Sequence, residues 1–122
     1  MKKTSKRKPK PHTVRFWAEI FVTEGAGKGG YNATIEKSFY GFPFLPKKGL
    51  RIVSLDGLDE MSPSWKAKTD PNLHELDDRI EWSVELRDER LKKNLIPEIP
   101  MKDIRHAIKH GWTLERLSEN EP

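Results

Sequence analysis

The clearest pattern in the front half of the chain is a strict alternation over residues 14–23. One set of alternate positions is apolar: Val14, Phe16, Ala18, Ile20 and Val22. The intervening positions mix aromatic with polar side chains: Arg15, Trp17, Glu19, Phe21 and Thr23. A period of two residues places each set on its own face of a β-strand. The sequence therefore predicts a strand with one core face and one half-covered face.

A glycine-rich segment follows, and it predicts a hairpin loop over residues 24–32 with a returning strand over residues 35–44. The apolar pattern of this second strand is uneven, which predicts a bulge or break near Ser38. The Gly27-Lys28 pair lacks the flanking residues of a phosphate-binding loop. No nucleotide cofactor is therefore expected at this loop.

The patterns in the second half of the chain are shorter. They predict a strand over residues 50–55, an edge strand over residues 65–69 and a polar loop, or one helical turn, over residues 70–78. The alternation is cleanest over residues 79–87, and it predicts a further strand. The apolar face of that strand holds Ile80, Trp82, Val84 and Leu86.

Residues 101–110 predict a helix, because apolar side chains recur there at helical spacing. These side chains are Met101, Ile104, Ala107 and Ile108. Gly111 suits the left-handed residue that commonly follows a helix. We expect Thr113 to cap one last helical turn through Leu117.

Together these elements predict a small α+β domain. We expect a mostly antiparallel sheet of about five strands, curled into an open barrel or roll, with a C-terminal helix against it. The face that bears Trp17 and Phe21 is one place where this helix can pack. If the helix packs elsewhere, the Trp17/Phe21 pair marks a partner surface.

The composition limits the class of protein. With 122 residues, 34% of them hydrophobic and 34% charged, the chain suits one domain with a thin core. It contains no cysteine, which excludes disulfides and thiolate chemistry. No apolar run approaches the ~18 residues of a membrane span, and no apolar stretch follows the charged start as it does in a secretory signal. We therefore expect a soluble, cytoplasmic protein without a membrane partner.

The positive charge of the chain is concentrated at its start. Residues 1–12 contain six basic side chains and no acidic one: Lys2, Lys3, Lys6, Arg7, Lys8 and Lys10. The other residues carry 17 Lys and Arg against 19 Asp and Glu, a net charge of −2. The like charges, together with Pro9 and Pro11, predict a disordered basic tail over residues 1–12 and a single domain over residues 13–122. Such a tail either aids solubility or contacts phosphate-rich partners.

The sequence makes no positive case for catalysis or for a metal site. His106 and His110 share a helix face with Asp103, which is a combination that can bind zinc. That face is turned away from the apolar stripe of the helix, so we interpret it as a polar surface. No serine has the flanking residues of a nucleophile motif. We predict no catalytic residue, no metal ligand and no cofactor.

Two functions remain open. The first is a non-enzymatic binding module whose basic tail contacts RNA or DNA without sequence specificity, assisted by Lys47 and Lys48. These lysines follow an aromatic stretch over residues 39–44, which suits either a core at a strand end or the stacking of bases. The second is a protein-interaction or regulatory domain that uses the Trp17/Phe21 face or the C-terminal helix, with the tail incidental. The negative body argues against a nucleic-acid site on the fold itself.

Overall fold

Strand β1 (His12–Thr23) is the middle strand of a seven-stranded mixed sheet. The computed structural model describes residues 12–25, 29–52, 64–78, 80–92 and 95–117. β1 pairs along its whole length with the antiparallel strand β2 (Gly30–Phe42). Gly25 and Gly29 stand at the turn with φ values of 112° and 69°, which favour glycine. The predicted front hairpin is confirmed, although its second strand begins earlier than expected.

Alternate side chains of β1 form the centre of the core. All five of the apolar ones are at most 1% exposed: Val14, Phe16, Ala18, Ile20 and Val22. The ring of Phe16 contacts Phe39 and Phe42 edge to face, with centroids 5.6 and 5.2 Å apart. These contacts join the aromatic end of β2 to the core.

Two strands lie parallel to β1 on its other side. β5 (Ile80–Asp88) runs beside residues 13–18, and β6 (Glu98–Pro100) runs beside residues 21–23. Two short strands, β3 (Trp65–Ala67) and β4 (Asn72–Glu75), pair antiparallel with opposite ends of β5.

Helix α1 (Met101–Lys109) follows β6 directly and packs on the core face of the sheet. Ile104 and Ala107 are fully buried in the same cluster as the apolar side chains of β1. Gly111 follows the end of the helix with a φ of 96°. Lys37 Nζ donates a hydrogen bond of 2.6 Å to the His110 carbonyl. A positive charge at a helix C-terminus is stabilising. The chain then forms β7 (Thr113–Arg116), which pairs antiparallel with β2.

The α+β class and the helix are confirmed, but the sheet differs from the predicted one. It has seven strands rather than about five, and the pairings of β1 with β5 and β6 are parallel. Among the described residues the sheet is open, because no pairing of β3 with β7 closes it. β7 follows α1, so the helix is not the last element.

Several local predictions can be compared with the structure. β3, β5 and α1 confirm the edge strand, the alternating strand and the helix. Residues 72–75, predicted as loop or turn, form β4, and Thr113 begins β7 instead of capping a turn. The pairing register of β1 and β2 shifts between His12 and Thr13, opposite residues 40–42 of β2. This shift is not near Ser38, where a bulge was predicted. Both missed strands are four residues long, and pairing with a neighbour decides their conformation more than local pattern does.

The strand predicted over residues 50–55 is described only in part. The Ile52 amide donates to the Trp65 carbonyl, and the Ala67 amide donates to the Leu50 carbonyl, both at 2.9 Å. These bonds add an extended segment beside β3. Residues 53–55, and residues 1–11 of the predicted tail, lie outside the described part of the chain.

The core face is incompletely covered at the start of β5. Val84 and Leu86 are 0% and 3% exposed, as the alternation predicted. On the same face Ile80 is 54% exposed, and Trp82, between Ile80 and Val84, is half-buried. α1 lies beside β6 at the hairpin end of β1, whereas Ile80 lies at the opposite end of the sheet, beside the start of β1.

We expect Phe16→Ala to lower the free energy of unfolding by about 3–5 kcal/mol, because it empties a fully buried aromatic site. Tyr40→Ala, at a position 73% exposed, is the aromatic control and should change that free energy by less than about 0.5 kcal/mol. Urea unfolding followed by circular dichroism measures both values. Equal losses in the two variants would contradict the core described above.

Candidate functional site

The side of the sheet opposite α1 presents the polar face of β1, which we call the Trp17 face. It includes alternate residues on five strands of the sheet: Arg15, Trp17 and Glu19 of β1, Thr34 and Glu36 of β2, Glu85 and Arg87 of β5, Lys66 of β3, and Glu115 of β7. In the described part of the chain, the helix that could have covered this face packs on the other one. Trp17 and Phe21 are both half-buried.

Trp17 lies between two carboxylates. Its cross-strand partners are Glu36 on β2 and Glu85 on β5. The Arg15 guanidinium forms an ion pair with Glu36, and Lys68 Nζ lies 3.2 Å from Glu85 Oε2. Both carboxylates beside the indole are therefore neutralised by their own cations, while part of the ring remains open to solvent.

Two further carboxylates occupy the next cross-strand row. Glu19 and Glu115 flank Thr34 on its two sides, and both are exposed. Neither has an ion-pair partner among the residues that the structure describes. Glu115 lines an open depression of about 290 Å³ together with Trp17, and Glu19 lines a smaller one of about 90 Å³ beside Glu85. The Trp17 face thus combines a half-buried indole with both carboxylates and cations, since Arg87 and Lys68 line the smaller depression together with Glu19.

Phe21 contributes less to this surface than the sequence suggested. It lies at the hairpin end of β1, where its backbone amide donates to the Pro97 carbonyl at 2.9 Å. A Cβ at Gly30 would approach the Phe21 ring to 2.7 Å and the Val22 carbonyl to 2.1 Å, so only glycine fits beneath the ring. Phe21 is therefore packed against the hairpin, and Trp17 is the aromatic side chain between the charged residues of the face.

The other predicted site lies at the end of the sheet where the chain enters β1. His12 pairs with Phe42, and Thr13 pairs with Tyr40, so the junction with the basic segment lies beside the aromatic stretch of β2. That stretch is divided between core and solvent. Phe39 and Phe42 pack against the core, whereas Tyr40 is 73% exposed.

Exposed groups continue beyond the end of β2. Phe44 is 48% exposed, and Lys47 and Lys48 are exposed in the turn that follows. The Lys48 backbone amide donates to Asp70 Oδ1 at 2.9 Å, which fixes the turn and leaves the lysine side chain outside it. Lys47 and Lys48 follow Phe44 closely in the chain, and the hydrogen bonds of their turn go to Asp70 and to Ala67 of β3. The six predicted contacts of the tail, from Lys2 to Lys10, lie outside the described residues.

A polar cluster that the sequence did not predict connects β4 with β5. His74 Nε2 lies 2.9 Å from Ser83 Oγ, and Ser38 Oγ donates to Glu81 Oε2 at 2.9 Å. A Ser–His contact is one element of nucleophilic catalysis, but Ser83 is only 3% exposed, and Glu81 bonds to Ser38. These bonds satisfy buried polar groups. Sequence reasoning missed the cluster because His74 was assigned to a loop.

His106 and His110 lie together as the helical spacing predicted. Their ring centroids are 4.6 Å apart, with His106 half-buried and His110 exposed. Within the described residues, no three His, Cys, Asp or Glu side chains are grouped so that they could hold a metal ion.

A further depression lies beside the end of β5. It measures about 450 Å³ and is lined mainly by apolar side chains near residues 91–99, with Asp88 and Arg90 at one side. The Arg90 backbone amide and guanidinium all donate to the Asp88 carboxylate, at 2.9–3.1 Å. The hydrogen bonds that the Arg90 guanidinium donates to the Asp88 carboxylate raise the pKa of Arg90 above its ordinary value. Asp88 and Arg90 thus bond to each other, and Glu98 is the other charged residue of the lining.

Comparison with models of known protein families, with curated proteins and with solved structures finds no match. In the part of the chain that the structure describes, no helix has the length and apolar character needed to cross a bilayer. A functional conclusion therefore depends on the two surfaces described above.

Proposed function

We propose that the chain is a non-enzymatic binding module that contacts single-stranded RNA or DNA, without sequence specificity, at the end of the sheet where the basic tail enters. The observation that carries this proposal is the register of β1 with β2. It places the junction of the tail opposite Phe42 and beside the exposed ring of Tyr40.

Two kinds of contact are then available to one strand of nucleic acid. The basic side chains of residues 1–11 neutralise phosphates, and this segment extends at most ~40 Å from the sheet. Tyr40 and Phe44 supply aromatic faces on which bases stack without regard to sequence. Lys47 and Lys48 add positive charge next to Phe44 in the chain.

The charge of the remaining residues supports a site restricted to this end. Residues 13–122 carry a net charge of −2, and the Trp17 face exposes the carboxylates of Glu19 and Glu115. Carboxylates repel phosphate, so the rest of the fold does not favour binding of single-stranded or double-stranded nucleic acid. Binding is accordingly driven by the tail and is sensitive to salt.

A protein partner is the second candidate function, and the position of α1 favours it. Since α1 packs on the core face, the Trp17 face is left without a described helix over it. In this alternative the basic tail is incidental.

We expect the affinity for a fluorescent oligothymidine to fall with salt, with a slope of log K against log salt of about −4 for six tail contacts at roughly 0.7 each. Lys6→Gln/Lys8→Gln should make that slope shallower by about 1.4, because two phosphate contacts are lost. Lys92→Gln/Lys102→Gln removes the same charge from exposed positions on the body and should leave the slope unchanged. Fluorescence anisotropy over a salt series measures all three proteins. Absence of binding at low salt, or equal slopes in both double variants, would contradict a tail-driven site.

We also expect Tyr40→Ala/Phe44→Ala to weaken oligothymidine binding by roughly 1–3 kcal/mol for each base that loses its stacking partner. Leu95→Ala, which truncates another exposed apolar side chain, is the control and should bind as the unaltered protein does. Thermal unfolding of each variant verifies that the fold is retained. Unchanged affinity in the double variant would remove the aromatic end of β2 from the interface.

A further inference from the structure

The exposed face of α1 carries a row of three cations, which we call the α1 cation row. Lys102, Arg105 and Lys109 recur at spacings of three and four residues, so their side chains are neighbours along one face of the helix. This face lies opposite Ile104 and Ala107, which the helix buries against the sheet. All three cations are exposed, and none of them forms an ion pair with another residue that the structure describes.

The charges around the α1 cation row do not balance. The core side of β1, β2, β6 and β7, on which the helix lies, adds Lys37 and Arg116 and no described carboxylate. Asp103 is the one carboxylate of α1, and its spacing places it on the flank of His106 and not in the row. Glu24 follows the end of β1 at the hairpin. In the described part of the chain, five cations therefore lie on and around α1 against two carboxylates, although residues 13–122 together carry a net charge of −2.

The α1 cation row is unfavourable for the helix itself. Like charges three or four residues apart repel one another and destabilise a helix. Lys102 also lies in the first turn, where the helix dipole favours an acidic side chain. Residues that break a local rule without a compensating contact are expected at functional sites. An anionic partner would remove the repulsion along the row.

An apolar side chain borders the cations. Ile108 is 45% exposed, and it lies three residues from Arg105 on the same helix. A phosphodiester backbone has no apolar group to cover an isoleucine, whereas an acidic segment of a protein can supply one. Cations beside an exposed aliphatic side chain therefore favour a protein partner over nucleic acid at this surface.

We propose that the outward face of α1 binds an acidic segment of a partner protein, with carboxylates at Lys102, Arg105 and Lys109 and an apolar side chain against Ile108. The row extends over about 10 Å at the helical rise. In an extended segment, side chains two residues apart lie on the same side and about 7 Å from one another, so two or three carboxylates match this length.

This inference does not rest on the nucleic-acid proposal. The α1 cation row lies on the core side of the sheet, whereas Tyr40 lies on the side of Trp17, at the end where the tail enters. Either surface can fail while the other stands, because they use different residues and are tested with different ligands.

The test uses the full chain labelled with ¹⁵N and two capped synthetic peptides. The glutamate peptide alternates Glu with Thr around two Leu residues, and the glutamine peptide has Gln in place of every Glu. The glutamate peptide should shift the backbone amides of Lys102, Arg105 and Lys109, and the glutamine peptide should not. The amides of Trp17 and Tyr40 should stay fixed with both, since they lie on the other side of the sheet. Equal shifts with both peptides, or shifts confined to other basic segments, would overturn the proposal.

A pair of double variants measures the contribution of charge. Lys102→Gln/Lys109→Gln should weaken glutamate-peptide binding about fivefold, since it removes two exposed ion pairs. Lysine and glutamine have similar helix propensities, so the helix should be retained. Lys66→Gln/Lys92→Gln removes the same charge from positions outside α1, and its affinity should equal that of the unaltered protein. Equal affinity of the two double variants would overturn the proposal.

A single variant measures the contribution of the apolar side chain. Ile108→Ala should weaken glutamate-peptide binding about threefold, because less apolar surface is covered in the complex. It should not change the affinity for a version of this peptide with Ser in place of both Leu residues. Unchanged affinity for the Leu-containing peptide would overturn the assignment of this surface to a protein segment.

Three other occupants would each overturn the proposal by a result of their own. Oligothymidine that shifts the same α1 amides as the glutamate peptide would show a surface for phosphate. Shifts of these amides in Glu119→Gln/Glu121→Gln without peptide would show that the chain's own last residues occupy the row. Shifts on dilution would show contact between two copies of the chain. Amides that stay fixed in all three experiments and shift with the glutamate peptide support the proposal.

Discussion

The alternation along β1 is the constraint on which the rest of the structure depends. Five of its side chains are at most 1% exposed, and its backbone pairs with β2, β5 and β6. A slip of one residue in its register would exchange Phe16 and Ile20 for Trp17 and Glu19 on the core face. The same two-residue period therefore fixes both the core and the composition of the exposed face.

The single described helix makes the sheet one-sided. α1 enters from β6, which lies beside the hairpin end of β1, and it spans nine residues, or about 13 Å. It covers β1 with Ile104 and Ala107, and its backbone lies nearest to β1, β6 and β7. Two consequences follow from this short cover. Ile80, at the start of β5, is exposed on the core side of the sheet. On the other side, the Trp17 face has no described helix packed against it.

Elements with a strong local pattern could be predicted from the sequence, and elements placed by distant partners could not. The periods of β1, β5 and α1 were long enough to predict their type, because burial repeats over several residues in each. β4 and β7 contain four residues each, and their strand conformation comes from pairing with β5 and β2. The parallel pairing of β1 with β5 likewise joins segments far apart in the chain, for which a single sequence gives no signal.

The candidate sites divide in the same way. Trp17 was identified from sequence because an aromatic residue interrupts the polar positions of a strand. Glu115 was missed, since the segment that carries it was predicted to be a helical turn and only its pairing with Thr34 brings it to the Trp17 face. The aromatic stretch of β2 was predicted either as core or as a stacking surface, and the structure divides its side chains: Phe39 and Phe42 pack against the core, while Tyr40 is exposed. Burial decides between such alternatives, and burial depends on packing between distant segments.

The central claim is that the two faces of β1 differ in cover. Hydroxyl-radical labelling of the native protein, with modification at each tryptophan read by mass spectrometry, tests it most directly. Trp65 and Trp112 are 1% and 2% exposed, whereas Trp17 is half-buried on the opposite face. The account predicts that Trp17 is modified faster than Trp65 and Trp112 in the folded protein and that the three react alike after unfolding in urea. Protection of Trp17 equal to that of Trp65 in the folded state would contradict it.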